Sequence, residues 1–389
     1  MYRVCVVTAT RAEYGLLKNV IRKIELDTDL ELYLVVTGTH LSSEYGNTIQ
    51  EIIEDGMPIS ETIEILDKRN DYVGITNTMA QATAEFGKMF QRVMPHMLIV
   101  LGDRYELLPI CQCAVVFGIP IAHISGGEIT EGAIDDAIRH AITKLSYLHF
   151  PACEQYRQRI IQMGEEPQRV FNFGDVGVEN IISMKFMSQT ELEKSLNLKL
   201  DRPYACVTFH PVTLEKASAR QQIEELLSAL AEVEDMFFII TKANADADGM
   251  LINNYIDEFV THKQNCVAFH SLGLTRYLSL LKGSEFIIGN SSSGIVEAPA
   301  LGIPTINIGN RQKGRLQASS IINCEPQKEE IVKAVNKARS LEFKLIAEKT
   351  INPYGAGETS SLIIREIKKF LMQGNIMKHF YDMHGEKVI

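Results

Sequence analysis

The stretch FIIGNSSSGIVEAPALG (286–302) decides the fold. An apolar run ends in a glycine and three serines, and a helical pattern follows at once. That is a strand, a tight turn and a helix. A strand that is apolar through most of its length is buried on both faces, as in a parallel sheet. The same unit recurs on either side. Before it come YACVTFHP (204–211), FFIITKA (237–243) and CVAFHS (266–271), and after it IPTINIGN (303–310) and ASSIINC (318–324). The first half repeats the rhythm in VCVVTA (4–9), LYLVVTG (32–38), MLIVLGD (97–103), IPIAHISGG (119–127), YLHFPA (147–152) and VFNFGD (170–175). Between these runs lie amphipathic helices. Met79, Ala82, Phe86, Met89 and Val93 make one apolar stripe, and Ile223, Leu226, Leu227, Leu230 and Val233 another. Strands alternating with helices over short loops predict parallel sheets with right-handed crossovers.

Two sets of six strands predict an α/β chain of two doubly wound domains. The segment 183–203 is polar and helix-prone and holds no strand, so the crossing is placed just before it. Residues 1–176 form the first domain and 177–359 the second. Leu362, Ile363, Ile367, Phe370 and Leu371 mark a closing helix, within about 360–389, expected to pack back on the first domain.

Composition narrows the function. Thirty-nine Lys and Arg against 49 Asp and Glu leave a net charge of −10 over 389 residues. A general nucleic-acid binder needs the opposite surplus. No run of about 18 apolar residues occurs, so no membrane-spanning helix is expected. Arg11 and Glu13 interrupt the first apolar run too early for a secretion signal, which makes the chain cytoplasmic. The cysteines (Cys5, Cys111, Cys113, Cys153, Cys206, Cys266 and Cys324) are odd in number and lie mostly in apolar runs. They read as small buried thiols. Cys111 and Cys113 have no second pair at zinc spacing, and His379 and His384 are wrongly spaced for a metal, so none is expected.

Ligands of doubly wound sheets bind outside the carboxyl ends of the strands, and the polar clusters fall there. GNSSSG (289–294) offers hydroxyls and free N–H groups at a helix start, which suits a diphosphate, and Glu297 one turn on can accept from ribose hydroxyls. A serine-rich N-cap explains the same residues. It lacks a P-loop lysine and a dinucleotide glycine pattern. TATRAEYG (8–15) places Arg11 where its planar fork can meet a phosphate or a carboxylate across the domain cleft. GDRYE (102–106) sets Asp103 after four apolar residues. Partial desolvation there raises a carboxyl into the range of a base, and Arg104 opposes the rise. An Asp that caps a helix is the plainer account. Residues 123–150 crowd Glu128, Glu131, Asp135, Asp136, Arg139 and His140 around a helix starting near Gly132. The two glycines before Glu128 let that loop fold over a ligand. Asp136 reads as an acid favouring the helix dipole. His210 closes the first strand of the second half, placed for a phosphate or leaving group as well as for a structural bond.

Taken together, TATRAEYG, GTHLSSEYGNT, GDRYELLP, HISGGEITEGAIDDAIRHAITKLSYLHF, HPVT and GNSSSGIVEAPALGIPTINIGNRQKGR resemble, in order over about residues 3–370, the hydrolysing UDP-N-acetylglucosamine 2-epimerases of sialic and nonulosonic acid biosynthesis. The resemblance implies a GT-B fold, two Rossmann-like domains with the active site in the cleft between them. It implies that Arg11, Arg104, His210, Asn244, Ser271, Ser291, Ser292, Ser293, Glu297 and Arg311 hold the UDP-sugar, and that Asp103 and Asp135 fall on catalytic acids. Relatives can carry an acid where this chain has Ser125, so Glu128, or else Glu131, supplies the missing carboxylate. The catalytic set expected is therefore Asp103, Glu128, Asp135 and His210, with no cofactor and no metal, in a homodimer or homotetramer. The implied reaction takes UDP-N-acetylglucosamine and water to N-acetylmannosamine and UDP through a 2-acetamidoglycal. The alternative is the same chemistry on UDP-N,N'-diacetylbacillosamine, a UDP-2,4-diacetamido-2,4,6-trideoxyhexose, in legionaminic acid biosynthesis. A non-hydrolysing epimerase, a glycosyltransferase and a non-catalytic sugar-nucleotide sensor are the further rivals.

Overall fold

The computed structural model describes residues 1–43, 46–69, 71–129, 134–210, 219–243, 249–270, 272–355, 357–374 and 377–383. The chain divides into two compact units, Met1–Asn180 with Tyr354–Ile389, and Ile181–Pro353. In the first unit the order is β1 (Tyr2–Thr8), α1 (Arg11–Glu25), β2 (Leu30–Thr37), α2 (Ile49–Glu54), β3 (Ile59–Ile63), α3 (Tyr72–Val93) and β4 (Met97–Leu101). It continues with α4 (Leu107–Val116), β5 (Ile121–Ile124), α5 (Ile134–Leu145), β6 (Leu148–Phe150), α6 (Glu154–Gln162) and α7 (Val176–Ser183). Helix α7 runs through the change from one unit to the other, which falls four residues beyond the position read from the sequence. The second unit holds α8 (Gln189–Leu196), β7 (Tyr204–Thr208), α9 (Ala219–Ala231), β8 (Phe237–Thr241), α10 (Gly249–His262), β9 (Cys266–Phe269) and α11 (Gly273–Lys282). Then come β10 (Ile287–Gly289), α12 (Ser293–Ala300), β11 (Thr305–Ile308), β12 (Ile321–Cys324), α13 (Lys328–Arg339) and α14 (Leu341–Glu348). Helix α15 (Thr359–Gln373) returns to the first unit.

Each unit is a six-stranded, wholly parallel sheet, ordered β3-β2-β1-β4-β5-β6 in the first and β12-β11-β10-β7-β8-β9 in the second. The central strands are buried along their length, as their apolar sequences demand: β4 has no exposed residue, nor has β7. The α3 stripe buries Ala82, Phe86, Met89 and Val93, and the α9 stripe buries Ile223, Leu226, Leu227 and Leu230. Ile363, Ile364, Ile367 and Leu371 of α15 share one core with Leu17, Val20, Ile21 and Ile24 of α1. Two polar ties fasten the same helix. Glu179 accepts from the Ser360 N–H at 2.7 Å and its hydroxyl at 2.6 Å, and Lys368 donates to Asp27 at 2.9 Å.

Two strand assignments change. VFNFGD (170–175) is not a strand: it makes one bridge, His149 to Val170, beside the three-residue β6. Its aromatics were apolar for another reason, since Phe171 and Phe173 stack on Phe150 at 6.0 and 6.1 Å. The sixth strand is β3, ISETI, at the sheet edge, where Ser60 and Thr62 point to solvent. An edge strand alternates in polarity, and a search for continuous apolar runs passes over it.

Candidate active site

Both sheets reverse their winding at one place, between β1 and β4 in the first unit and between β7 and β10 in the second. A crevice opens at the carboxyl ends there, because the connections leave in opposite directions. The residues that follow those four strands build the candidate site.

In the first unit, Thr10 caps α1 by accepting from the Glu13 N–H at 3.3 Å. The Glu13 carboxyl folds back to accept from the Ala9 N–H at 3.0 Å and the Thr10 hydroxyl at 3.2 Å. This places Glu13 in the crevice, 4% exposed. Burial pushes its carboxyl up to about 8; the Ala9 N–H opposes the shift and the Glu106 charge adds to it. Glu106, after β4, is wholly buried, and one of its oxygens accepts from Arg104 at 2.8 Å. The second oxygen of each acid is buried without a hydrogen-bond partner. Two ionised acids beside one arginine would bury a net negative charge, so a proton on Glu13 is the cheaper state at neutral pH. Arg11 stands apart from this group, half exposed and paired with Glu51 at 2.8 Å.

The expectation that Arg104 balances Asp103 is corrected: Arg104 serves Glu106, and the cation on Asp103 is Arg139 of α5. Arg139 is 5% exposed and also donates to the Glu128 carbonyl at 3.0 Å. Asp136 lies 3.9 Å from Arg139 and 3.6 Å from His140, so it joins the ion pairs of its own helix. Asp135 is half buried; burial, and then the charge of Asp103, raise its carboxyl above the ordinary range, while Arg104 and Arg139 pull it back. Asp103, Asp135 and the backbone of Glu128 are thus gathered around Arg139. Glu131 lies outside the described residues.

The glycines before Glu128 fold against protein instead of over a ligand. A Cβ on Gly126 would stand 2.9 Å from the His123 ring, and one on Gly127, at φ +79°, 2.6 Å from the Tyr156 carbonyl. His123 is buried, pushed down to about 3 by burial, and therefore neutral. It donates from Nε2 to the Gly102 carbonyl at 2.8 Å and fixes the turn that presents Asp103.

In the second unit, His210 follows β7 and Asn290 follows β10. The His210 N–H donates to the Asn290 side chain at 2.7 Å, which donates back to the His210 carbonyl at 2.8 Å. Arg311 and Gln312 both donate to the Asn290 carbonyl, at 3.0 and 2.8 Å. Gly289, at φ +138°, lets β10 approach β7: a Cβ there would overlap the Thr208 carbonyl. Ser291, Ser292 and Ser293 open α12, with Ser292 exposed as its N-cap. The Ser293 hydroxyl accepts from Tyr277 at 2.8 Å and donates to Glu297. Asn244 and Ser271 lie outside the described residues.

Sequence reasoning passed over Glu106, Arg139, Tyr277 and Lys242. Lys242 ends β8 and pairs with Asp257 at 2.6 Å. The first two stand three and four residues from assigned acids and look like ordinary helix charges; only the sheet order brings them to the crevice. Among the described residues, no group of three or more His, Cys, Asp or Glu could hold a metal ion, and no helix is long and apolar enough to cross a membrane.

Two doubly wound units with polar strand ends at both switch points define a class of two-domain, nucleotide-recognising α/β proteins. The UDP-N-acetylglucosamine 2-epimerase family pattern matches residues 22–368, and the chain belongs to that family. It is 43% identical over 345 residues to the hydrolysing GDP/UDP-N,N'-diacetylbacillosamine 2-epimerase of Campylobacter jejuni, covering 88% of each chain. It is 37% identical over 385 residues to polysialic acid biosynthesis protein P7 of Escherichia coli, covering 98% of each. Its fold matches the UDP-GlcNAc 2-epimerase of Neisseria meningitidis bound to UDP-GlcNAc, with a TM-score of 0.78 at 16% identity over 94% of this chain and 100% of that one.

Proposed function

We propose that this protein is a hydrolysing nucleotide-sugar 2-epimerase whose substrate is UDP-N,N'-diacetylbacillosamine, converted with water to UDP and the free 2,4-diacetamido-2,4,6-trideoxy sugar inverted at C2. The 43% identity to the Campylobacter enzyme supports this substrate over UDP-N-acetylglucosamine. The second reading, UDP-N-acetylglucosamine to N-acetylmannosamine, draws on the sialic-pathway relative at 37%.

The observation that carries the chemistry is the unlike state of two carboxyl groups at one arginine. Asp103 is ion-paired to Arg139, and Asp135 is raised by burial and by the Asp103 charge. The C2 hydrogen of the sugar is scarcely acidic until the C1–O bond begins to break and positive charge builds on the ring. In the second unit, His210, Ser291, Ser292, Ser293 and Arg311 hold the departing diphosphate, with Glu297 on the ribose, and stabilise the charge that develops there. Arg11 and Arg104 add cationic charge from the first unit. Asp103 takes the C2 proton as C1–O breaks, which gives UDP and the 2-acetamidoglycal. Water then adds its hydroxyl at C1, and Asp135 delivers a proton to the opposite face of C2. Glu128 supports the pair from the Arg139 loop. No step calls for a cofactor.

Each UDP-sugar should be offered alone, without acceptor, in deuterated water, and the products read by NMR. The diacetamido sugar is expected to give UDP and a free sugar deuterated at C2, with the higher kcat/KM. A fully protonated C2 would refute the elimination, and a higher kcat/KM on UDP-N-acetylglucosamine would refute the substrate.

A further inference from the structure

The first unit encloses a cavity of about 830 Å³ that the chemistry above does not use. It lies at the carboxyl ends of β1, β2, β3 and β4, with Thr10 and Arg104 on its rim. Arg104 directly follows Asp103, so the cavity adjoins the carbon on which the reaction turns. Its size falls in the range of roughly 300–1,000 Å³ typical of small-ligand sites.

The lining says what would fill it. Leu41, Ile65 and Ile75 form an apolar wall, and Thr39, Ser42 and Ser43 bring hydroxyls. The Thr39 hydroxyl already donates to the Ala9 carbonyl at 3.0 Å and so is left as an acceptor. The Ser42 and Ser43 hydroxyls have no hydrogen bond within the described residues. The charges cancel. Asp67 is held by Arg69 at 3.4 Å and by Asn77 at 2.7 Å, Arg104 is held by Glu106, and Glu64 and Lys68 carry opposite signs. A phosphate would find no free cluster of cations here. A neutral group with methyls to bury and an amide to hydrogen-bond fits both the wall and the hydroxyls.

We propose that this cavity is the subsite for the C4 and C6 substituents of the sugar, and that it selects an acetamido group and a methyl over two hydroxyls. The inference rests on the proposed substrate. Burying a methyl against Leu41, Ile65 and Ile75 is favourable where a hydroxyl would lose water. The hydroxyls of Ser42 and Ser43 serve the amide.

The test uses Ser42→Phe and Ser43→Phe, which narrow the cavity from partly exposed positions without touching Asp103, Asp135 or Arg139. Filling a pocket of this kind shifts discrimination by roughly 10–200-fold. Both variants should lose about 10-fold or more in kcat/KM on UDP-N,N'-diacetylbacillosamine and about 2-fold or less on UDP-N-acetylglucosamine, with unchanged UDP affinity. Equal losses on both sugars, or none, overturn the subsite. In the wild-type protein, saturation-transfer NMR should show the C6 methyl and the 4-acetamido methyl closer to protein methyls than the 2-acetamido methyl is; the reverse order overturns it without any variant. A wild type that prefers UDP-N-acetylglucosamine overturns the substrate reading and the subsite together. A wild type that prefers the diacetamido sugar, with unselective variants, overturns the subsite alone.

Discussion

Glu13→Gln should make the protein more stable in alkali and change little in mild acid. The reason is the proton on Glu13. An unfolded glutamate titrates near 4.5, whereas burial holds the native carboxyl up to about 8. Between those values the native state binds a proton that the unfolded state has released, so stability falls as pH rises through that window and the loss is complete above the native value. The whole span corresponds to about 5 kcal/mol, and the part between about pH 5.5 and about pH 9 to about 3 kcal/mol. Glutamine keeps a carbonyl to accept from the Ala9 N–H and puts an amide in place of the protonated oxygen beside Glu106. The His123 and His40 rings, held down to about 3 and about 4 by burial, act in the opposite sense. Their cost appears as pH falls below the ordinary histidine value, and it is common to both proteins. The variant-minus-wild-type difference therefore isolates Glu13. Guanidinium unfolding followed by far-UV circular dichroism suits a chain with no tryptophan. Hydrogen exchange of the Val4–Val7 amides in β1 reports the same change in the first unit alone. A difference that stays flat from about pH 5.5 to about pH 9 would show that Glu13 is ionised throughout, and the charge count at the switch point would be wrong.

Arg139→Met should destabilise the first unit by about 3 kcal/mol, because it strips the cation from Asp103 and the donor from the Glu128 carbonyl at a buried site. A change below about 1 kcal/mol in denaturant unfolding would mean that the ion pair is not formed. Gly289→Ala should cost about 3 kcal/mol or more, since its Cβ overlaps the Thr208 carbonyl at φ +138°; an unchanged melting temperature would contradict the β7–β10 register. Asp103→Asn should abolish most turnover while calorimetry still shows UDP binding, and near-normal turnover removes Asp103 from the base role. Asp135 must be protonated to act, so wild-type kcat/KM should decline as pH rises past its raised value, and the residual rate of Asp135→Asn should lack that alkaline limb.

The two sheets were legible because buried parallel strands announce themselves: β4 and β7 are apolar at every position and were found with near-correct limits. Edge strand β3 was not, since its Ser60 and Thr62 give it the polarity of a loop. The site was legible to the extent that its residues sit directly on strand ends, as Asp103, His210 and Ser291 do. What sequence could not supply was partnership. Arg104 touches Asp103 in sequence yet pairs with Glu106, while Arg139, 36 positions away, reaches Asp103. Adjacent residues on a turn point in different directions, and only the order β1-β4-β5 brings the start of α5 to the end of β4. The glycines at 126 and 127 misled for a related reason. A glycine marks a close approach, but the pattern does not say whether the approaching group is a ligand or, as here, His123 and the Tyr156 carbonyl.

Inversion at C2 needs one group to remove a proton and another to return one, both at a single pH. The coupling between Asp103 and Asp135 supplies that order in the proposed reaction. While Asp103 is charged it raises Asp135 and keeps the donor protonated. Once Asp103 has taken the C2 proton, that repulsion is gone. Arg139, no longer neutralised by its partner, then favours the ionised form of Asp135. Asp135 therefore becomes the stronger acid at the step in which it must donate, and the first proton transfer prepares the second without any movement of the chain. After release the two groups hold the wrong protonation and must exchange with solvent before the next turn. It follows that the C2 label should come from bulk water even in single-turnover experiments in which Asp135 has been equilibrated in deuterium beforehand.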